Sequence, residues 1–272
     1  MKARRPDPAT YPFPATIVPA TFLDRPTRFT ADIQIEGQHS TAHINSSGRM
    51  QELLLPGRTI GVSRAANPDR RSPWDLKLVR IAGRWMSIDS ALPNKLVGHW
   101  FSHHVLSEFT GYQTVRREVT LGGSRFDFVL TGGSQDCVVE VKSVTLNVGD
   151  WGVFPDAPSE RGARHVRELA ALARAGTRTA VIWIMAHPKM TRCWANPLTD
   201  PDFTEAVENA RDTGVKLLAY NVRVTRQAAT LIGPCPVQPL DAAGLDALQQ
   251  HIATYRTRPL TYTASERPRR HR

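Results

Sequence analysis

Short segments in which apolar and polar residues alternate fill the first third of the chain. Every second residue from Phe29 to Ile35 is apolar, which places these side chains on one face of an extended strand. Comparable segments follow at spacings of about ten residues, separated by turn sequences such as Glu36-Gly37 and Ala82-Gly83. They are His39–Ile44, Met50–Leu55, Arg58–Ser63, Trp74–Ile81 and Trp85–Ile88. This pattern predicts a small β-barrel or β-sandwich.

The hydrophobic period changes after Leu92-Pro93-Asn94. Lys95–Phe109 has apolar residues at helical spacing, and strand patterns then alternate with helix patterns. The predicted strands are Ser124–Leu130, Cys137–Leu146, Thr179–Ala186 and Val215–Val222, and the predicted helices run from Ser159 to Ala175, from Asp200 to Thr213 and from Ala242 to Tyr255. This alternation predicts an α/β domain in which helices cover a mixed sheet.

The change of period divides the chain into four parts. We predict a basic, Pro-rich segment over residues 1–15, a barrel domain over 16–95, an α/β domain over 96–255 and a disordered, Arg-rich tail over 256–272. The fold class is therefore α/β for the second domain and α+β for the whole chain.

The charge of the chain is strongly positive and unevenly distributed. Its 272 residues include 35 Lys and Arg against 25 Asp and Glu, a formal net charge of +10. A surplus of this size favours a polyanionic partner, with nucleic acid ahead of an anionic membrane. Residues 11–98 contain 11 cations and 7 anions, whereas residues 99–255 contain 15 and 16. The barrel and the termini are thus predicted to attract nucleic acid, and the balance of the α/β domain suits a site that holds a cation.

The remaining composition indicates a cytoplasmic protein. No apolar run approaches the ~20 residues that a membrane span needs, and Met1–Pro6 leads into Pro-rich sequence rather than an apolar signal core. Cys137, Cys193 and Cys235 are odd in number and widely spaced, which argues against a disulfide framework or a zinc site. We expect no membrane partner, and no obligatory protein partner is evident.

Acidic and basic residues stand close together on two neighbouring strand segments of the α/β domain. Asp127 precedes Glu140 by 13 residues, and Lys142 shares a strand face with Glu140. In a hairpin the two carboxylates lie side by side and can hold Mg²⁺ or Mn²⁺, which acidifies a bound water, while the lysine stabilises developing negative charge. The pattern predicts a phosphodiesterase site with Asp127 and Glu140 as metal ligands, Lys142 as electrostatic catalyst and Glu118 as an auxiliary acid.

Charged residues on strands also occur simply as a solvated face of a sheet. Against this alternative, the cluster stands among strongly apolar neighbours, where an unpaired carboxylate is costly. A polar patch also follows, and in its predicted helix Arg161, Arg164 and His165 share an exposed face suited to phosphate. The same face also fits an ion-pair ladder in which Arg164 meets Glu168. The residues predicted to contact phosphate are Arg49, Arg70, Arg71, Arg125, Arg161, Arg164 and His165.

Several stretches together resemble one protein family. They are Gly48–Gly57, Asn67-Pro68, Arg70–Trp74, Pro93-Asn94, Arg117–Val119, Ser124–Phe128, Glu140–Leu146, Phe154–Ala157, Arg161-Gly162, His165 and Asp200-Pro201. On these residues the chain is identified as a member of the sugar fermentation stimulation protein A (SfsA) family. It departs from the family pattern at Ser46-Ser47-Gly48, where Asn45 comes one place early, and at Ser159 and Arg164.

The resemblance implies an N-terminal OB-fold barrel and a second domain similar to PD-(D/E)xK nucleases. It places Asp127, Glu140 and Lys142 at the acid–acid–lysine positions, and it implies DNA binding without sequence preference and a link to sugar metabolism. We therefore expect a cytoplasmic DNA-binding protein, with RNA as a second ligand, that carries a Mg²⁺- or Mn²⁺-dependent site. The alternative is a non-enzymatic DNA-binding regulator whose nuclease-like core does not cleave.

Overall fold

A computed structural model describes residues 7–187 and 189–255 of the chain. Its strands are β1 (Thr10–Pro12), β2 (Val18–Thr27), β3 (Thr30–Ile35), β4 (Gln38–Ile44), β5 (Thr59–Arg64), β6 (Trp74–Ile81), β7 (Arg84–Ser87), β8 (Thr114–Leu121), β9 (Ser124–Thr131), β10 (Cys137–Val144), β11 (Leu146–Val148), β12 (Trp151–Phe154), β13 (Arg178–Met185), β14 (Arg192–Ala195), β15 (Lys216–Val224) and β16 (Ala228–Cys235). Its helices are α1 (Leu92–Ser102), α2 (Glu160–Arg174), α3 (Pro201–Asp212) and α4 (Ala242–Tyr255), with a short 3-10 helix at Ser107–Phe109. None of the helices in this described part is long and apolar enough to cross a membrane.

Strands β2 to β6 close into a five-stranded barrel. Antiparallel ladders join β2 to β3, β3 to β4, β5 to β6 and β2 to β5, and a parallel ladder from Ala42–Trp74 to Ile44–Leu76 closes the ring. The alternation predicted from the sequence fills the interior, since Ala31 and Ile33 of β3 are fully buried. This strand order is that of an OB fold, as the family resemblance implied.

The second half is a mixed sheet with helices on both faces. Its order is β15-β13-β10-β9-β8, with parallel pairing among the first three strands and antiparallel pairing among the last three. Helices α2 and α3 are capped as expected, because Ser159 Oγ accepts from the Gly162 amide at 3.1 Å and Asp200 Oδ1 from the Phe203 amide at 2.9 Å. A barrel followed by a mixed α/β sheet confirms the predicted fold class.

One sheet runs through both halves of the described chain. Strand β15 pairs with β13 from Lys216 to Asn221, and its last residue, Val224, pairs with Trp85 of β7. One hydrophobic core likewise fills the barrel, surrounds α1 and covers one face of the α/β sheet, while a second core lies under α2 and α3 on the other face. The first core contains residues from both sides of residue 95. The division into two domains there stays a prediction.

Several predicted elements are corrected by the structure. The helix predicted over Lys95–Phe109 is α1, which ends at Ser102 because the chain turns into the left-handed region at His104 (φ 53°). Met50–Leu55 is a turn rather than a strand, with Met50 also left-handed (φ 51°). The strand predicted over Cys137–Leu146 breaks at Thr145. Strands that the sequence did not predict are β1, β2, β8, β12, β14 and β16. The tail over 256–272 lies outside the described residues.

Candidate functional site

The site lies where β9 and β10 separate. Their ladder runs from Cys137–Leu130 to Val139–Phe128 and stops there. Beyond it, the backbone amide of Val141 donates to Asp127 Oδ2 at 2.8 Å. Phe126 and Phe128 belong to opposite cores although they stand two residues apart, so the strand turns over at Asp127. The fork therefore presents the Asp127 carboxylate between two strands.

Glu140 occupies the other arm of the fork. Its Oε1 accepts from Lys142 Nζ at 2.6 Å and from His165 Nδ1 at 2.7 Å. The side chain of Glu140 is only 6% exposed, and its Oε2 has no hydrogen-bond partner within the described part of the chain. One carboxylate oxygen is thus firmly held, and the other is buried without compensation.

The two carboxylates differ in their electrostatics. Burial is the main cause that raises the pKa of Asp127, and the nearby charge of Glu140 raises it further, despite the hydrogen bond from Val141. Burial also acts to raise the pKa of Glu140, but the charge of Lys142 and the hydrogen bond from His165 outweigh it and leave that pKa lowered. A divalent cation between the two would remove the repulsion that Asp127 experiences.

His165 does not lie on the exposed face predicted for it. It is buried, because α2 packs its Val166 and Leu169 face against the sheet and carries His165 inward with it. Its Nε2 accepts a hydrogen bond from Arg161 Nε at 3.4 Å. The ring proton therefore lies on Nδ1, which donates it to Glu140. Both ring nitrogens are engaged and the residue orients Glu140, while its predicted contact with phosphate stays a prediction.

Glu118 is not brought to the carboxylates. It stands across from Asp127 in the β8–β9 register, but the pairing skips both residues and Glu118 adopts a left-handed conformation (φ 52°). Its side chain is 59% exposed and pairs with Arg125 at 3.3 Å. In this arrangement Glu118 and Arg125 form a surface ion pair, and the auxiliary-acid role of Glu118 stays a prediction.

The predicted phosphate-binding arginines fall in two regions. Arg161 and Arg164 are exposed on the first turns of α2, and Arg161 reaches the site through its contact with His165. In the barrel, Arg70 is paired with Asp75 at 3.0 Å, Arg71 is exposed, and Arg49 lies in the turn after β4. Phosphate contact by these five arginines stays a prediction.

Asn94 is a site residue that the chemical interpretation of the sequence missed. It lies in the first turn of α1, and its Nδ2 donates to Asp127 Oδ1 at 2.7 Å. The helix is held in place by Arg117, which donates to the Asn94 carbonyl at 3.2 Å and lies 4.9 Å from the Phe128 ring centre. A side chain at Gly98 would collide with that guanidinium, so glycine permits the contact. A signal was present in Pro93-Asn94 among the family stretches, but no spacing rule connects it to Asp127.

The donors present suit a cation that prefers oxygen. Within the described residues no group of three His, Cys, Asp or Glu side chains is arranged to hold a metal. The available ligands are instead Asp127 and Glu140, and the buried oxygens without partners include Glu140 Oε2 and Asn94 Oδ1. Carboxylate and amide oxygens are hard ligands, which fit Mg²⁺ and Mn²⁺ better than zinc, whose protein sites usually include Cys or His.

Comparison with known proteins agrees with this architecture of an OB barrel joined to a mixed α/β domain. The model of the SfsA N-terminal OB domain matches residues 23–88, and that of the sugar fermentation stimulation protein RE domain matches residues 91–228. The chain belongs to the sugar fermentation stimulation protein family.

Curated relatives are similar over nearly their whole length. The sugar fermentation stimulation protein homolog of Moorella thermoacetica is 40% identical over 227 residues, which cover 83% of this chain and 98% of that protein. The homolog of Chloroflexus aurantiacus is 38% identical over 237 residues, covering 87% and 92%. Among solved structures, Pyrococcus furiosus SfsA in complex with Ca²⁺ matches with a TM-score of 0.77 and 28% identity, covering 82% of this chain and 96% of that one.

Proposed function

We propose that this protein binds DNA without sequence preference and hydrolyses phosphodiester bonds at the fork between β9 and β10, using Mg²⁺ or Mn²⁺. The observation that carries the proposal is Glu140, whose Oε1 is fixed by Lys142 and His165 while its buried Oε2 has no partner among the residues that the structure describes. A carboxylate oxygen withdrawn from water without compensation is costly, and a cation shared with Asp127 would compensate it.

A divalent cation held by Asp127 and Glu140 would supply a bound water of lowered pKa and neutralise charge on the phosphate. The related P. furiosus protein is described in complex with Ca²⁺, a hard cation that also takes oxygen ligands. This likeness supports a cation site of that chemical type here.

Other residues of the protein would position Glu140 and contact the nucleic acid. Lys142 holds Glu140 in place, and its side chain, 11% exposed, would put a positive charge beside a phosphate bound at the fork. His165 and Arg161 fix the rotamer of Glu140 from behind, as partners of a metal-binding carboxylate commonly do. Arg164 lies exposed on the same turn of α2, where it can contact the nucleic-acid backbone.

Cleavage assays with matched variants test the catalytic half of the proposal. Duplex, single-stranded and branched DNA, and RNA, would be incubated with Mg²⁺ or Mn²⁺ and wild type, Asp127→Asn or Lys142→Ala. Asp212→Asn, on the exposed surface of α3, is the control. We expect cleavage by wild type and control, and a loss of at least about 100-fold in both site variants. Binding to these substrates without any cleavage would overturn the hydrolase and leave a non-enzymatic DNA-binding protein.

The salt dependence of binding tests the other half. Contacts between arginines and phosphates release counterions, so the affinity for duplex DNA should fall steeply and linearly on a log–log plot against salt. Removing residues 256–272, which contain six arginines and one glutamate, should weaken binding and leave the turnover of bound substrate unchanged. An affinity that does not respond to salt would contradict the phosphate contacts.

A further inference from the structure

The amide of Asn94 has one satisfied end and one unsatisfied end. Its Nδ2 donates to Asp127 Oδ1 at 2.7 Å. Its Oδ1 is shielded from solvent and has no hydrogen-bond partner among the described residues. An amide oxygen left in this state gives up its hydration without a replacement, so it calls for a specific explanation.

Rotation of the amide would not solve the problem. If Oδ1 and Nδ2 changed places, the oxygen would face the Asp127 carboxylate and both would be acceptors. The hydrogen bond to Asp127 therefore determines which end of the amide is unpaired. The fold thus holds Oδ1 in a fixed place beside the carboxylate.

A second unpaired oxygen belongs to Glu140, whose strand also contacts Asp127. The Asp127 carboxylate bonds to Asn94 through Oδ1 and to the amide of Val141 through Oδ2. Val141 directly follows Glu140, whose buried Oε2 also has no partner. Asp127 thus contacts Asn94 directly and the strand of Glu140 through Val141, and each of these two residues has a buried oxygen without a partner among the described residues.

We propose that Asn94 Oδ1 is a third protein ligand of the divalent cation, beside Asp127 and Glu140. This rests on the cation site of the proposed function and adds a ligand to it. Two carboxylates then balance the charge of a divalent ion, and the amide adds an oxygen without adding charge.

Calorimetric titration of the full chain with Mn²⁺, in the absence of nucleic acid, tests the proposal. Asn94→Ala should weaken Mn²⁺ binding by about tenfold or more, whereas Asn94→Asp should retain or strengthen it because a carboxylate replaces the amide oxygen. The matched control is Asn45→Ala, since Asn45 Nδ2 donates to Asp89 at 2.8 Å in a similar pair outside the site. We expect wild-type Mn²⁺ affinity for that control.

Two outcomes would overturn the proposal, and they are distinguishable from failure of the site itself. Wild-type Mn²⁺ affinity in Asn94→Ala would exclude a ligand role. A loss in Asn94→Asp as large as in Asn94→Ala, with both variants folded by circular dichroism, would show that Asn94 only positions Asp127. If Asp127→Asn also binds Mn²⁺ like wild type, the proposed cation site is wrong, and this inference falls with it.

Discussion

Two aspartates near the start of α1 have very different surroundings. Asp89 receives Lys77 Nζ at 3.0 Å, Asn45 Nδ2 at 2.8 Å and the amide of Ala91 at 3.1 Å. Asp127 receives an asparagine side chain and a backbone amide, but no hydrogen bond from a cation within the described part of the chain. Burial acts to raise the pKa of both, yet the Lys77 charge and the hydrogen bonds leave Asp89 lowered, whereas the Glu140 charge leaves Asp127 raised.

The difference separates a carboxylate with a structural role from the one that we propose holds a cation. At Asp89 the fold supplies everything that a buried negative charge needs, so this residue joins the barrel to the helix. At Asp127 the fold supplies two neutral donors and the charge of Lys142, which is paired with Glu140, but burial and the Glu140 charge leave the pKa raised. This arrangement stabilises the folded state less. Such under-compensation is expected where a ligand completes the site.

The largest effect should come from removing the structural carboxylate. Asp89→Ala leaves the amides of Asn45 and Ala91 without their acceptor and Lys77 without its closer partner, and should lower the free energy of unfolding by about 2–3 kcal/mol. Urea denaturation measures this change. Asp212→Ala on the exposed surface of α3 should stay within about 0.5 kcal/mol of wild type. Equal changes in the free energy of unfolding for the two substitutions would show that Asp89 has no special structural role.

A smaller change in the free energy of unfolding, of opposite sign, is expected at Asp127. Without divalent ions, Asp127→Asn should raise the free energy of unfolding by about 1 kcal/mol, because it removes a negative charge next to Glu140. The new amide can also donate to Asn94 Oδ1 after that side chain rotates. Thermal unfolding should show a gain of about 2–4 °C for the variant, and Mn²⁺ should stabilise only wild type. Destabilisation of Asp127→Asn would show that the charge of Asp127 is as well compensated as that of Asp89.

The pH dependence of these effects should have opposite signs. The lowered pKa of Asp89 means that its contribution is present above the ordinary aspartate pKa and is lost as the pH falls through the lowered value. The raised pKa of Asp127 means that its contribution is present below the ordinary value and is lost as the pH rises through the raised one.

Unfolding free energies from about pH 3 to 7, without divalent ions, would test these signs. The deficit of Asp89→Asn should shrink on acidification, and the advantage of Asp127→Asn should shrink as well. A constant advantage of Asp127→Asn across this range would show that the charge of Asp127 is not its cause.

The smallest effect is expected at Glu118. Its ion pair with Arg125 is exposed at both ends, so Glu118→Gln should change the free energy of unfolding by less than about 0.5 kcal/mol. The Mn²⁺ affinity and any cleavage rate should also stay at the wild-type value. A marked loss of Mn²⁺ affinity in this variant would show that Glu118 takes part in the site, although its side chain pairs with Arg125 in this structure.

The core of the candidate site could be predicted because it follows from strand periodicity. Glu140 and Lys142 share a face for that reason, and Asp127 stands at the matching place on the preceding strand. His165 could not be placed, since helical spacing groups it with Arg161 and Arg164, and only the buried Glu140 makes an inward histidine favourable. Asn94 belongs to no periodic pattern, and its role depends on where α1 meets β9.

The barrel and the α/β sheet followed from alternation and helix capping, but some strands gave no such signal. Strand β2 contains Pro19 and Pro26 together with Asp24 and Arg25, which hides its alternation. Strands β12 and β14 have four residues each, too short for a period to show. The left-handed residue in β8 also had no sequence signal, because glutamate rarely adopts that conformation.

The single pairing of Trp85 with Val224 has a consequence for how the molecule can be divided. A fragment that ended after β7 would expose that strand as an open edge, together with apolar residues that α1 now covers. The complementary fragment would expose the end of β15 in the same way. Each half would therefore offer another copy a ready template for strand addition, and sedimentation should find such fragments self-associated. The two halves thus contribute strands to one continuous sheet.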